Sequence, residues 1–172
     1  MSTGARILVA GVGNIFLGDD AFGVEVVQQL ARRPQPEGVR LMDFGIRSFD
    51  LAYALLDEYD ATLLVDALPR GEPPGTLYVL EPDLNALGEA STDTVEAHSL
   101  DPVKVLQLAR ALGGQPRRLL VLGCEPGSFG PEGQGQMGLS APIQAAVEPA
   151  VAMAEQLIKQ LSEEVDQHGA QA

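Results

Sequence analysis

The sequence is poor in cysteine, in aromatic side chains and in positive charge. Cys124 is the one cysteine among 172 residues, which excludes an internal disulfide and a metal site built from several thiolates. Tryptophan is absent and 5% of the residues are aromatic, so a core has to be mainly aliphatic. Eleven Lys and Arg stand against 24 Asp and Glu, a formal charge of −13. This balance argues against general nucleic-acid binding and against electrostatic docking on an anionic membrane, because both need a basic surface.

Long apolar runs are also missing. No stretch approaches the roughly 20 apolar residues of a membrane span. The apolar run at residues 7–12 is too short for a secretory signal and is broken by Gly11, so we expect a cytoplasmic protein. A hydrophobic content of 45% is nevertheless too high for a disordered acidic chain. The length predicts one domain over residues 1–162, followed by a polar, flexible tail over residues 163–172.

Short apolar runs alternate with amphipathic segments along the chain. Strands are predicted at residues 6–12, 39–43, 61–66, 76–80 and 118–123, and helices at residues 22–33, 49–58, 100–112 and 141–161. Ser48 and Ser99 are predicted caps of the second and third helices, and the fourth helix follows Ser140 with Pro142 in its first turn. The order predicts a three-layer α/β/α sandwich with a mainly parallel five-stranded sheet, in which strand 76–80 can run antiparallel at an edge. Long polar loops at residues 82–98 and 125–139 are candidates for binding or for mere surface insertion.

The loop after the first strand carries two glycines and two aspartates. It fails as a dinucleotide fingerprint because the third glycine position is Phe16, and because Asp19 and Asp20 would repel a diphosphate. Both carboxylates could simply cap the next helix and complement its dipole. Alternatively, one of them caps while the other points into the crevice at the strand ends, where open α/β sheets bind ligands.

Two further side chains could reach the same crevice. Asp66 ends an apolar strand, where it either caps the following turn or contributes to a site. His98 closes the long polar loop, and a lone loop histidine is commonly just solvated. Together, Asp20, Asp66 and His98 follow three successive elements and could converge. Such a set of two oxygens and one nitrogen suits a divalent ion such as Ni²⁺ or Zn²⁺.

Nucleophilic chemistry is poorly supported. There is no G-x-S-x-G motif in the chain. Cys124 could in principle pair with His98, but a small buried thiol is the favoured interpretation. No motif supports an aspartic dyad formed by Asp19, Asp20 or Asp66.

Five motifs follow one another along the chain. The first is ILVAGVGNIFLGDDAFGV at residues 7–24. It is followed in order by DFG at 43–45, VDA at 65–67, AHSL at 97–100 and GLS at 138–140, the last leading into a helix. Together these motifs resemble those of the [NiFe]-hydrogenase maturation proteases, although Ala21 replaces a commoner glycine. The resemblance spans about residues 6–160.

The resemblance implies a cytosolic, aspartyl-type endopeptidase with an α/β/α fold. Such an enzyme removes a C-terminal extension from the precursor of the hydrogenase large subunit after nickel has been inserted. The resemblance implies that Asp20, Asp66 and His98 contact this nickel, which belongs to the substrate, and that no organic cofactor is needed. It also implies that Asp43 and Gly45 lie in a loop that selects the substrate.

Two mechanisms and two other functions remain open. The metal could polarise the scissile carbonyl or activate water, or it could only position the bond while a carboxylate acts as base. A different function would be that of a non-catalytic assembly factor, which senses nickel in the large subunit without cutting it. A nucleotide-binding α/β module is disfavoured by the aspartate pair.

Overall fold

Strands and helices alternate in the order that the apolar runs predict. The structure, a computed structural model, describes residues 4–85, 102–114 and 116–170. The strands are β1 (Ile7–Val12), β2 (Val39–Gly45), β3 (Ala61–Ala67), β4 (Leu77–Leu80) and β5 (Leu119–Cys124). The helices are α1 (Phe22–Ala31), α2 (Ser48–Ala54), α3 (Pro102–Ala111) and α4 (Ala141–Ala170). A 3-10 turn, Gly18–Ala21, lies between β1 and α1; we call it the aspartate turn, since it carries Asp19 and Asp20.

The strands form one sheet in the order β2-β1-β3-β5-β4. β2, β1, β3 and β5 are parallel, while β4 at the edge pairs antiparallel with β5. The predicted mainly parallel five-stranded sheet, including its antiparallel edge strand, is thereby confirmed. The carboxyl ends of the four parallel strands lie on the same edge of the sheet, where open α/β sheets bind ligands.

Helices cover both faces of the sheet, which confirms the three-layer α/β/α architecture. Every residue of β1, β3 and β5 is buried, as expected for strands enclosed on two sides. Side chains such as Val9 and Leu63 face a core formed with α1 and α4. Their chain neighbours Leu8 and Leu64 face a second core formed with α2 and α3. Because successive side chains of a strand point to opposite faces of the sheet, each strand contributes to both aliphatic cores.

The second helix differs from its prediction. It runs from Ser48 to Ala54 instead of over residues 49–58, and Ser48 is its first residue rather than its cap. Arg47 precedes the helix and makes no side-chain capping hydrogen bond there. Leu51 and Ala52 are buried, whereas Asp57 and Glu58 are exposed in the turn that leads to β3. Leu55 and Tyr59, beyond the helix, still pack into the second core, so apolar burial continues although the helix ends at Ala54.

The last helix also differs, because it continues to Ala170 and does not end at residue 161. Its buried stripe of Ala154, Ile158 and Leu161 extends to Val165, which packs against the first core. The predicted start of the helix after Ser140 is correct, and the Ser140 carbonyl accepts hydrogen bonds from the amides of Ile143 and Gln144. The flexibility predicted for residues 163–172 stays a prediction.

Some predicted features lie outside the described residues. They include the Ser99 cap, the start of the helix predicted at residues 100–112, and most of the loop at 82–98. Although α4 has 30 residues, no helix in the described part of the chain is long and apolar enough to cross a membrane.

Candidate active site

The chain turns back sharply after β1, and this brings the aspartate turn to the carboxyl edge of the sheet. Gly13 has φ +142, and a Cβ at this position would lie 1.7 Å from the carbonyl oxygen of Asp20. Only glycine permits so close an approach in this backbone conformation. Gly23, at the start of α1, lies equally tightly on β3, since its Cβ would stand 2.0 Å from the carbonyl oxygen of Val65. The start of α1 therefore lies on the residue that precedes Asp66, and the aspartate turn just before it also contacts β3.

Asp20 occupies a half-buried position on this turn. Its Oδ2 accepts a hydrogen bond of 2.7 Å from the backbone amide of Asn14. Burial raises the pKa of the Asp20 carboxyl, and the Asn14 hydrogen bond only partly offsets this effect. A carboxylate that has lost water and gained one hydrogen bond is suited to bind a cation or to take up a proton.

Asp66 is placed near the end of β3, where it pairs in register with Gly123 of β5. It is 3% exposed, so the carboxyl group lies within the sheet edge and not on the outer surface. The structure thus brings Asp20 and Asp66 to the same edge, on a turn and a strand that touch each other.

His98 lies outside the described residues, so the convergence of all three predicted ligands stays a prediction. Among residues 4–85, 102–114 and 116–170, no three His, Cys, Asp or Glu side chains cluster closely enough to hold a metal ion. The two aspartates alone would leave most positions of a divalent ion open for other ligands.

Asp19 has a role that neither interpretation of the aspartate pair predicted. It is fully buried, and neither the aspartate turn nor α1 has a side-chain cap. Its carboxylate instead accepts hydrogen bonds from the backbone amides of Gly127, Ser128 and Ser140 at 2.8, 2.7 and 2.6 Å, and from Ser140 Oγ at 2.7 Å. Burial by itself would raise the pKa of Asp19, but these hydrogen bonds outweigh it and hold the pKa below its ordinary value.

Asp43 and Gly45 form a tight turn at the end of β2. The Gly45 amide donates to Asp43 Oδ1 at 2.9 Å, and the Gly45 carbonyl accepts from the Gly13 amide at 2.9 Å. Arg47 also fixes this turn, because its guanidinium donates to the carbonyl oxygens of Asp43 and Phe44. The turn joins the loop after β1, which places the predicted selectivity residues at the same edge as Asp20. Arg47 was missed, since nothing local in the sequence links an arginine to these carbonyls.

A second group that sequence reasoning missed lies beyond Asp66. Glu125 is buried and accepts hydrogen bonds from the amides of Arg70 and Gly71, at 2.6 and 3.3 Å. The Arg70 guanidinium lies 5.1 Å from the centre of the Tyr78 ring, whose hydroxyl donates to the Leu68 carbonyl. Burial, with the charge of Glu125, raises the pKa of Tyr78 to about 12, so the phenol stays protonated. These contacts fix the segment that follows Asp66.

Cys124 is the buried thiol that the sequence predicts. It is fully buried at the end of β5, and burial, with the charges of Asp19 and Glu125, raises its pKa to about 11. A thiol that is neutral at pH 7 and closed to solvent is a poor nucleophile.

Large apolar side chains are exposed around this edge of the sheet. They lie on the segments that follow β1, β2 and β5, and they are Ile15, Phe16, Ile46, Phe49, Phe129 and Met137. Exposed apolar groups that gather around polar groups are typical of surfaces that bind another polypeptide.

The sheet, its two helical layers and the aspartates at the carboxyl edge define an α/β protein with a ligand crevice at the strand ends. A family model described as HycI, hydrogenase maturation protease, matches residues 24–157. The hydrogenase 2 maturation protease of Escherichia coli (strain K12) is 34% identical over 161 residues, which cover 92% of each chain. The hydrogenase expression/formation protein HupM of Azotobacter chroococcum is 35% identical over 150 residues, 87% of this chain and 69% of HupM.

Solved structures agree with these relatives. The hydrogenase maturating endopeptidase HybD from E. coli superposes with a TM-score of 0.72 at 29% identity, covering 90% of this chain and 93% of HybD. The [NiFe] hydrogenase maturation protease HycI from Thermococcus kodakarensis gives a TM-score of 0.65 at 27% identity, covering 92% and 95%. The chain belongs to the hydrogenase maturation protease family, and it is a peptidase.

Proposed function

We propose that this peptidase removes the C-terminal extension from the nickel-loaded precursor of a [NiFe]-hydrogenase large subunit. The observation that carries the proposal is the placement of Asp20 and Asp66 at one sheet edge, within a fold shared with hydrogenase maturation proteases. The apolar side chains around this edge support a protein substrate over a small molecule. The low content of basic residues supports a substrate that is not presented on an anionic membrane surface.

In this proposal nickel arrives with the substrate and is recognised by the enzyme. Asp20 and Asp66 contribute carboxylate oxygens, and His98 contributes the nitrogen that completes an O,O,N set. The nickel ion would then hold the scissile bond beside the crevice, with Asp43 and Gly45 selecting the polypeptide around it. Burial penalises the charged form of Asp20 and raises its pKa in the metal-free protein, so a bound cation would compensate a charge that is only partly solvated.

The proposal is tested by cleavage of a purified, nickel-loaded large-subunit precursor, followed by intact mass. We expect the wild-type protein to shorten the precursor at its C-terminus and to leave the nickel-free precursor intact. Asp20→Ala, Asp66→Ala and His98→Ala should each reduce the cleavage rate at least about 100-fold, because each removes a group that faces the reacting centre. Asp57→Asn is the matched control, since Asp57 is an exposed aspartate in the turn between α2 and β3.

Two results would contradict the proposal. Full cleavage by any one of the three alanine variants would exclude the three-ligand set. An unchanged precursor mass with wild-type protein would exclude cleavage and favour the non-catalytic, nickel-sensing assembly factor.

A further inference from the structure

The loop at residues 125–139 is attached near both of its ends to the aspartate turn and the residues just before it. We call it the glycine-rich loop, because five of its residues are glycine. Besides the four hydrogen bonds that the Asp19 carboxylate accepts, the Asp19 amide donates to the Ser128 carbonyl at 2.9 Å. Gln136 is bonded through both backbone groups, accepting from Gly18 at 2.8 Å and donating to Phe16 at 2.7 Å. Each end of the loop is therefore fixed to residues 16–19.

The contact between these two segments is direct. Gly18 has φ +53, and a Cβ there would lie 2.6 Å from the Ser128 carbonyl oxygen. A Cβ on Gly127 would stand 3.2 Å from Asp19 Oδ2. There is thus little space for a side chain at Gly18 or at Gly127, and the two backbone segments pack closely beside the Asp19 carboxylate. The Asp19 side chain accepts hydrogen bonds both from the start of the loop, at Gly127 and Ser128, and from Ser140, which directly follows its end.

The attached loop presents apolar side chains to solvent next to the crevice. Phe129 is 43% exposed and Met137 is 66% exposed, and across the junction Phe16 is 61% exposed. A flexible loop would fold such side chains inward, or lose entropy on ordering them when a ligand binds. A loop that is already fixed can offer them to a partner without that cost. The matching occupant is an extended polypeptide with apolar side chains next to the cleaved bond.

We infer that Asp19 is a positioning residue, which fastens the glycine-rich loop to the aspartate turn so that Phe129 and Met137 form a fixed wall for the substrate polypeptide. This inference rests on the proposed function, because the occupant is the segment of the precursor that surrounds the cleaved bond. Asp19 itself does not touch the substrate. It acts through the loop, whereas Asp20, its neighbour in the chain, belongs to the crevice.

Hydrogen–deuterium exchange tests the attachment without any substrate. In Asp19→Asn the amide group supplies a single acceptor oxygen for four donors, so the amides of Gly127, Ser128 and Ser140 should exchange at least about tenfold faster than in the wild-type protein. Ser140→Ala removes only the hydroxyl donor and should give a smaller increase at the same amides. Asp57→Asn should change none of them. Unchanged exchange at these three amides in Asp19→Asn would overturn the inference, whatever the activity of the protein.

Cleavage kinetics on the nickel-loaded precursor test the wall. Phe129→Ala and Met137→Ala should each raise KM about 3- to 30-fold with little change in kcat, because they remove contacts that are equal in the ground and transition states. Leu112→Ala is the control, since Leu112 is 42% exposed but follows α3, on the way to the start of β5. An unchanged KM in both Phe129→Ala and Met137→Ala would show that these side chains do not contact the substrate, even where the wild-type protein cleaves normally.

A double-mutant cycle separates positioning from general loss of stability. If Asp19 acts through the loop, Asp19→Asn should raise KM, and adding Phe129→Ala to it should raise KM less than the product of the two single effects. Simple multiplication of the two effects would show that Asp19 does not act through Phe129. Should Asp19→Asn fail to fold, the same cycle is run with Ser140→Ala in its place. Effects on KM that simply multiply in that cycle would likewise show that the attachment does not act through Phe129. A wild-type protein that leaves the precursor uncut contradicts the proposed function, while the exchange experiment still tests the attachment.

Discussion

At the scale of single residues, Asp19 and Asp20 are neighbours with opposite surroundings. Asp19 is closed to solvent and accepts four hydrogen bonds, whereas Asp20 accepts one and keeps part of its surface open. Four donors make Asp19 a stable, ionised structural group, and the single donor leaves oxygen lone pairs of Asp20 available for a ligand. The difference comes from chain direction, because successive side chains on a tight turn point to different sides.

Cys124 provides a pH-dependent prediction at the same scale. An unfolded chain releases the cysteine proton near about pH 8.5, whereas the pKa of Cys124 in the folded protein is raised to about 11. Between these values the unfolded state binds fewer protons, so rising pH lowers the free energy of unfolding by up to about 1.4 kcal/mol per pH unit. Urea unfolding of the wild-type protein and of Cys124→Ala at pH 7, 8, 9 and 10 should show the steeper loss in the wild type.

The same variant checks the chemical role of Cys124. Because the thiol is buried and neutral at pH 7, we expect Cys124→Ala to keep kcat/KM for the precursor within about threefold of the wild-type value. Equal slopes of stability against pH in the two proteins would contradict the raised pKa. A loss of cleavage in a folded Cys124→Ala protein would contradict its exclusion as a nucleophile.

At the scale of elements, apolar continuity determined which parts of the fold could be predicted. The runs that become β1, β3 and β5 contain few polar residues, so each was predicted to within a residue of its ends. The end of α4 was missed because polar residues dominate beyond Leu161, and only Val165 continues the buried stripe. The placement of Asp20 and Asp66 at one sheet edge could be predicted, since Asp20 lies in the loop after one apolar strand and Asp66 near the end of another, while their role as ligands stays a prediction. The partners of Asp19 lie 108 to 121 positions away, and no local pattern reveals them.

The end of α4 gives a prediction that tests how much of residues 163–172 is structural. Removing these residues deletes the packing of Val165 and the ion pair of Glu164 with Arg118, whose closest atoms are 3.4 Å apart. We expect a loss of about 1–2 kcal/mol in the free energy of unfolding, mostly from the valine, with cleavage unchanged. Chemical denaturation measures this loss. Removing residues 168–172 alone is the control and should cost little, because Val165 and Glu164 remain; equal stability of both truncated proteins would contradict the packing.

At the scale of the whole molecule, the charge of −13 acts against folding. The ion pairs in the described part of the chain lie on exposed or half-exposed side chains, as in the two pairs that Arg33 makes with Glu148 and Glu155. Such pairs contribute little each, so they do not balance the repulsion among the remaining carboxylates. Under the proposed function the same net negative charge is favourable, because it attracts a cationic centre such as nickel within a protein substrate.

Ionic strength tests this balance, because salt screens repulsion between exposed charges over about 10 Å at 0.1 M. Raising NaCl from about 10 mM to about 500 mM at pH 7 should raise Tm by about 2–4 °C, which corresponds to about 1 kcal/mol for a chain of this size. KCl should give the same rise, since screening depends on ionic strength and not on the identity of the cation. The control is the same NaCl series at a pH near the isoelectric point of about 4.4. The net charge vanishes there, so the rise in Tm with salt should disappear. A Tm that falls with salt at pH 7 would show that the surface ion pairs stabilise the fold more than the net charge destabilises it.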